Sequence, residues 1–302
     1  MPMRSVSVEQ YSLFLDSHDS VKIAGRQIRL SKDWHIDYLE PTEFVPKEST
    51  VWSFPDRGYW ATHRGDYPGN WSPYVVRNLL EKYSRVGDRI CDPMVGSGTT
   101  LIECKLLHRS GLGADINPDA TMICMNRLDF SSPLCERDGA PIQVYVGDAR
   151  NLDAIVDGTI DLLLIHPPYS TILRYSQPQI SGDISFMEND EYLIAIRQVA
   201  SECYRILKPG KICAVLIGDT RFRRHYVPIS VAVLHEFLSS GFIMKEDIIK
   251  IQHNVSSERT RWPGSYDFYK IAHEHIFIFR KSWPDEDASR LKNSKNWWMG
   301  GA

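Results

Sequence analysis

The sequence predicts an α/β fold with a mostly parallel sheet, on three observations. Strand-like and helix-like segments alternate from residue 72 onward, the pattern of successive βαβ units. A glycine-rich stretch, Asp92-Pro93-Met94-Val95-Gly96-Ser97-Gly98-Thr99-Thr100, lies between the β-like Arg89-Ile90-Cys91 and a run that reads as helix. A second strand-like run, Ile160 to Ile165, is apolar in the manner of a buried parallel strand and stops at His166-Pro167-Pro168-Tyr169.

Taken in order, residues 1–50 are polar and mixed, without strong periodicity, and are expected to form an amino-terminal extension. Residues 51–74 are dense in aromatic residues (Trp52, Phe54, Trp60, Tyr67, Trp71, Tyr74). They form either a packed irregular loop, the commoner case, or an aromatic-lined binding surface. Ser72 can cap a helix with Pro73 at its first position, and Val75, Val76, Leu79 and Leu80 make its apolar stripe. Strands are predicted near 88–92, 111–116, 142–146, 160–165, 212–217, 243–251 and 274–280, and helices near 99–108, 118–129, 188–207 and 228–239. Gly241 reads as a helix stop. The last two strands have no helix-length segment between them, only Asn254 to Lys270, so these two are expected to pair antiparallel. The expectation is a seven-stranded, mostly parallel sheet with an antiparallel terminal pair, followed by a polar tail over 282–302.

Composition narrows the class. With 43% hydrophobic residues among 302, a sizeable core is expected, and no apolar run approaches the roughly 20 residues that span a bilayer. A membrane protein is therefore not expected. The amino terminus lacks the apolar stretch of a signal peptide. Six cysteines occur with no Cys-x-x-Cys pair, so no metal site is expected and a reduced, cytoplasmic compartment fits best. A net charge of −3 does not advertise a polyanion partner, although a local basic groove suffices to hold phosphates. Arg221, Arg223 and Arg224 supply such a patch beside His225, after the strand-like run 212–217.

The glycine turn reads as a ligand site. Gly96 and Gly98 let the backbone approach a ligand closely, and the following helix presents free N–H groups and its positive end, suited to a carboxylate. Gly98 is followed by Thr99-Thr100, so the lysine of a phosphate-binding P-loop is missing. Asp115, ending the second strand, can accept both hydroxyls of a ribose. Asp148, ending the third, can receive an adenine amino group. Either aspartate alone reads nearly as well as a helix cap.

The two blocks resemble the signatures of the S-adenosylmethionine-dependent DNA methyltransferases that modify exocyclic amino groups, Asp-Pro-Phe-x-Gly-Ser-Gly-Thr-Thr and Asp/Asn/Ser-Pro-Pro-Tyr. The resemblance covers about residues 52–281 and implies a Rossmann-like methyltransferase domain over 51–281. It implies S-adenosylmethionine as cofactor, held by Asp92, Pro93, Met94, Gly96, Ser97, Gly98 and Thr99, with Asp115 and Ile116 at the ribose and Asp148 and Ala149 at the adenine. Asn70 and Ser72 fall in the preceding family block, which packs on the methionine part.

An exocyclic amino group is a poor nucleophile because its lone pair is delocalised into the ring. In the family two acceptors draw it towards tetrahedral geometry, the first side chain of the block and the next carbonyl, here His166 and Pro167. Pro168 stiffens the loop, and Tyr169 stacks on a base flipped out of the duplex. His166 departs from the family's Asp, Asn or Ser. A neutral imidazole still offers one acceptor nitrogen, but histidine points to neither adenine N6 nor cytosine N4. A ring-carbon enzyme would need a Pro-Cys nucleophile here, and there is none.

Target recognition is expected in three loops: 170–187 with Arg174, 219–226 with the arginine patch, and 252–264 with Gln252, Asn254 and Arg261. An ordinary polar connection is the other reading of the last. The implied partner is double-stranded DNA, in a restriction-modification system with a cognate endonuclease or alone, by a monomer or homodimer. Two alternatives stand beside this reading: an RNA base methyltransferase on the same fold, or a cofactor- and nucleic-acid-binding module that does not catalyse.

Overall fold

The computed structural model describes residues 1–131, 141–177, 179–223, 225–253 and 267–295. The first 52 residues hold β1 (Arg4–Ser5), α1 (Val8–Ser17), the hairpin of β2 (Ser20–Ile23) and β3 (Arg26–Arg29), and β4 (Val51–Trp52). Ser7 and Gln10 form a capping box at the start of α1, each side chain taking the other's backbone N–H.

The core follows as α2 (Pro73–Tyr83), β5 (Arg89–Asp92), α3 (Thr99–Leu106), β6 (Ser110–Asp115), α4 (Pro118–Leu128), β7 (Ile142–Val146) and β8 (Ile160–Ile165). Beyond it come α5 (Asn189–Ile206), β9 (Leu207–Ile217), the small hairpin β10 (Thr220–Phe222) and β11 (His225–Val227), α6 (Ile229–Ser239), β12 (Ile243–Ile251), β13 (His273–Arg280) and α7 (Ala288–Lys295). No helix among the described residues is long and apolar enough to cross a membrane.

The main sheet has nine strands in the order β1-β7-β6-β5-β8-β9-β13-β12-β4. β7, β6, β5, β8 and β9 are parallel, and β13 runs antiparallel between β9 and β12. This is the Rossmann-like methyltransferase arrangement, with two strands more than the seven expected. β1 pairs antiparallel with β7 at one edge and β4 pairs parallel with β12 at the other. Each is two residues long, too short for any alternation to show in sequence, and each occupies edge N–H and C=O groups that would otherwise be unpaired. The antiparallel pair β12–β13 is therefore not terminal.

Burial explains the apolar run of β8. Leu163 and Ile165 pack with α5 and α6 on one face, while Leu162 and Leu164 pack with Val75, Val76, Leu79 and Leu80 of α2 on the other. Asp161, the one charge in the run, is tied to Lys208 at 2.8 Å, to Lys211 at 3.1 Å and to the Arg89 amide at 3.1 Å. The chain leaves β5 towards β6 and β7, then returns to β8 and runs outward through β9. The reversal between β5 and β8 leaves a crevice beyond their carboxyl ends.

Candidate active site

Both motifs stand at that crevice. An open cleft lies over the glycine turn, the place where ligands bind in α/β sheets. Pro93, Met94, Gly96, Ser97, Thr99, Asp115, Ile116, Asp148 and Ala149 line it, with Asn70 from the segment before α2 and His166 and Pro168 from the end of β8. Gly96 has φ +50 and Gly98 φ +86, where a side chain is strained, and a Cβ on Gly98 would lie 2.7 Å from Cys124 Sγ.

The turn is stapled by the strand that neighbours it. Asp115 accepts from the Gly96 amide at 3.0 Å with one oxygen and from the Asn117 amide at 2.9 Å with the other. Burial still pushes its carboxyl up to about 6. Asp148 is gripped by Arg150, whose Nη2 lies 2.6 Å from Oδ2 and also donates to the Gly182 carbonyl. Burial works against ionisation there, but the Arg150 hydrogen bonds and charge bring the carboxyl below its ordinary range.

Three expected cofactor residues do not line the cleft. Ser72 caps α2, accepting from the Tyr74 amide, and donates to the Arg57 carbonyl at 2.7 Å. Asp92 is buried under the turn, accepting from the Met94 amide and the Thr100 hydroxyl, and burial pushes its carboxyl up to about 7. Gly98 packs against α4 rather than facing the opening.

A second pocket adjoins the first at His166, lined among others by Trp71, Pro167, Tyr169, Leu216, Lys250 and Glu274. His166 Nε2 lies 3.0 Å from the Tyr169 hydroxyl, which donates to Glu274 Oε1 at 2.8 Å. Glu274 Oε2 in turn meets Lys250 Nζ at 2.6 Å, a cross-strand pair in direct register on β12 and β13. Burial lowers the His166 ring to about 4. Burial opposes the ionisation of Glu274, yet Lys250 and the hydrogen bonds around it hold its carboxyl below the ordinary range. The Pro168 carbonyl is taken by the Tyr192 hydroxyl at 2.8 Å and the Ser170 amide at 3.1 Å. Among the described residues the Pro167 carbonyl has no such donor.

Of the expected DNA-contacting residues, Arg174 is exposed with its guanidinium 5.4 Å from the centre of the Phe186 ring. Arg221 and Arg223 sit on the β10–β11 hairpin, a paired element where a loop was expected. Arg221 stacks 4.2 Å from the Phe268 ring and donates to the Tyr269 carbonyl. The amide of Gln252 continues the β12–β13 ladder to the Ala272 carbonyl. Arg224, Asn254 and Arg261 lie outside the described residues.

Tyr67 of the aromatic-rich stretch and Tyr175 of the 170–187 loop also line the first cleft; sequence reasoning missed Asp183 there and Lys250 and Glu274 in the second. Glu274 left one signal: a carboxylate in the same alternating register as Ile276 and Ile278, which are fully buried.

The first cleft lies at the switch point of an α/β sheet, the usual place for a small-molecule site in such folds, and it shares Gly69, Asn70, Trp71, His166 and Tyr175 with the second pocket. A family model described as DNA methylase, of the N6/N4 methyltransferase type, matches residues 15–126 and 160–298, and the chain belongs to that family. With the family comes its cofactor, S-adenosylmethionine.

Among curated proteins, 81 residues are 37% identical to the Type II methyltransferase M.HpaI of Haemophilus parainfluenzae, covering 27% of this chain and 26% of that protein. Over 179 residues the chain is 25% identical to the Type II beta methyltransferase M.BslI of a Bacillus species, covering 51% and 19% respectively. Over 104 residues it is 35% identical to the tRNA (guanine(10)-N2)-dimethyltransferase of Methanothermobacter thermautotrophicus, covering 34% and 29%. The alignments thus span less than a third of each of these relatives.

Proposed function

We propose that this chain transfers a methyl group from S-adenosylmethionine to the exocyclic amino group, adenine N6 or cytosine N4, of a base flipped out of duplex DNA. The observation that carries the reading is the junction of the two pockets at His166, which lines both.

The donor set of the first cleft fits the cofactor. The start of α3 offers N–H groups to a carboxylate, Asp115 offers a carboxylate to a ribose diol, and Ile116 and Ala149 offer apolar contact to adenine beside Asp148. The aromatic rings of Tyr67 and Trp71 suit a sulfonium cation. Bound there, S-adenosylmethionine supplies an electrophilic methyl group. The protein's part is to bring the target nitrogen into line and to orient its lone pair. The Pro167 carbonyl and His166 supply the two acceptors, and the depressed pKa keeps the imidazole neutral above about pH 4. The rigid Pro-Pro backbone fixes both acceptors relative to the cleft.

Incubation with labelled S-adenosylmethionine and duplex DNA, followed by sequencing for N6-methyladenine and N4-methylcytosine, tests the reading. Label on one of those positions supports it. Label on RNA alone would favour an RNA base methyltransferase, the reading that the tRNA-modifying relative supports. No label on either, with cofactor bound, would leave a non-catalytic module.

A further inference from the structure

The histidine in place of the family's usual acceptor raises a question that Asp or Asn would not: which of its two nitrogens carries the proton. Glu274 is buried and paired with Lys250 at 2.6 Å, and an ionised carboxylate can only accept. The Tyr169 hydroxyl has a single proton, and at 2.8 Å from Glu274 Oε1 that proton belongs to the carboxylate. The phenolic oxygen, 3.0 Å from His166 Nε2, is then left to accept, so Nε2 must be the donor. Nδ1 holds the free lone pair. It makes no hydrogen bond among the described residues and is not among their buried unpartnered atoms, so it is accessible from the pockets that His166 lines.

We propose that Glu274, anchored by Lys250 and acting through Tyr169, is a positioning residue that fixes His166 in its Nε2–H tautomer and so presents Nδ1 as the acceptor for the target amino group. The proposal rests on the reading of His166 as an acceptor given above. Each member has a distinct origin: His166 and Tyr169 in the loop after β8, Glu274 on β13 and Lys250 on β12. Arg57, from the segment before α2, is the further charge that acts on the ring, and like Lys250 it disfavours an imidazolium. The same logic operates wherever a carboxylate holds a catalytic imidazole in one tautomer.

The relay makes a directional prediction for Glu274→Gln. The ammonium of Lys250 requires an acceptor, so the amide oxygen takes the Lys250 side and the NH2 group faces Tyr169. The hydroxyl then accepts from the amide and donates to Nε2, and the imidazole proton moves to Nδ1. Tyr169→Phe removes the direction altogether and leaves His166 free to adopt either tautomer. Glu274→Gln should therefore slow single-turnover methyl transfer more than Tyr169→Phe does, by on the order of 100-fold against wild type at saturating DNA. A merely structural role gives the reverse order, because glutamine is isosteric and the lost hydroxyl strands two partners.

The decisive measurement is the 15N spectrum of the full-length protein labelled in histidine, with His166 assigned by its loss in His166→Asn. Protonated Nε2 and bare Nδ1 in wild type, reversed in Glu274→Gln, support the relay. Protonated Nδ1 in wild type, or an unchanged tautomer in Glu274→Gln, overturns it. The spectra need no catalysis, so a wild-type protein that transfers no methyl group would refute the proposed function alone.

Discussion

The two pockets that meet at His166 are held together over very different stretches of chain. On the glycine-turn side most staples are short: Asp92 to Met94, Asp115 to Asn117 and Asp148 to Arg150 each span two residues, Asp115 to Gly96 spans nineteen and Arg150 to Gly182 spans thirty-two. On the target side Tyr169 reaches Glu274 across 105 positions. The cofactor side is thus set by strand, turn and helix in succession. The target side exists only when β8, β9, β13 and β12 have stacked in order. Damage to one side should spare the other, which gives the comparison its tests.

The largest expected effect is on the target side. His166→Ala should slow single-turnover methyl transfer by roughly 10² to 10⁴-fold, the usual worth of a positioned proton-handling group. Cofactor affinity should fall far less than the rate, because the staples of the glycine turn are untouched. Wild-type speed in this variant would mean that the first position of the loop is not catalytic.

On the cofactor side, Asp115→Ala should weaken S-adenosylmethionine binding by about 1.5–3 kcal/mol through lost charge-assisted hydrogen bonds. Calorimetry reads it directly, and unchanged affinity would remove Asp115 from the site. pH separates the two sides in the wild type. The raised Asp115 carboxyl takes a proton as pH falls through about 6, losing acceptor capacity, so cofactor affinity should drop there. His166, lowered to about 4, keeps its free lone pair until well below that. With saturating cofactor the chemical step should therefore show no fall near pH 6.5 from this ring. An inflection there that vanishes in His166→Asp would contradict the buried, neutral imidazole.

Gly98→Ala tests the turn itself. The positive φ and the approach to Cys124 Sγ at 2.7 Å predict a stability loss of about 1–3 kcal/mol by denaturant titration. Gly98 does not line the cleft, so cofactor affinity should fall only as far as the turn is displaced.

The same contrast explains what the sequence reveals. Ser72-Pro73 with the Val75, Val76, Leu79 and Leu80 stripe, and the strand–glycine–helix run around Gly96, are contiguous patterns, and the structure has α2 and the β5–α3 turn where they predict them. The nine-strand count was hidden because β1 and β4 are two residues each and exist only as partners of β7 and β12. Ser72 caps α2 as its sequence predicts, whereas the cofactor role that the family resemblance implied for Ser72 and Asp92 finds neither in the cleft lining; capping and ligand binding use the same side chains. Lys250 and Glu274 were invisible as a pair, since nothing in one dimension shows which residues face each other across β12 and β13.

The smallest expected effect concerns the β10–β11 hairpin, which follows β9 in the chain. Arg221 is braced by the Tyr226 and Phe268 rings and by the Tyr269 carbonyl, whereas Arg223 is exposed at the turn with φ +48. Phe222 and Tyr226, 65% and 45% exposed beside them, add aromatic faces suited to nucleic acid. If the hairpin tracks a DNA backbone, Arg223→Ala should lower the log–log salt slope of binding by about 0.9, one phosphate contact. It should do so equally for any DNA sequence, because a phosphate contact carries no base information. His166→Ala should leave that slope unchanged, since an uncharged ring releases no counterions. A wild-type slope in Arg223→Ala would make the hairpin a solvated surface element and leave phosphate binding to other parts of the molecule.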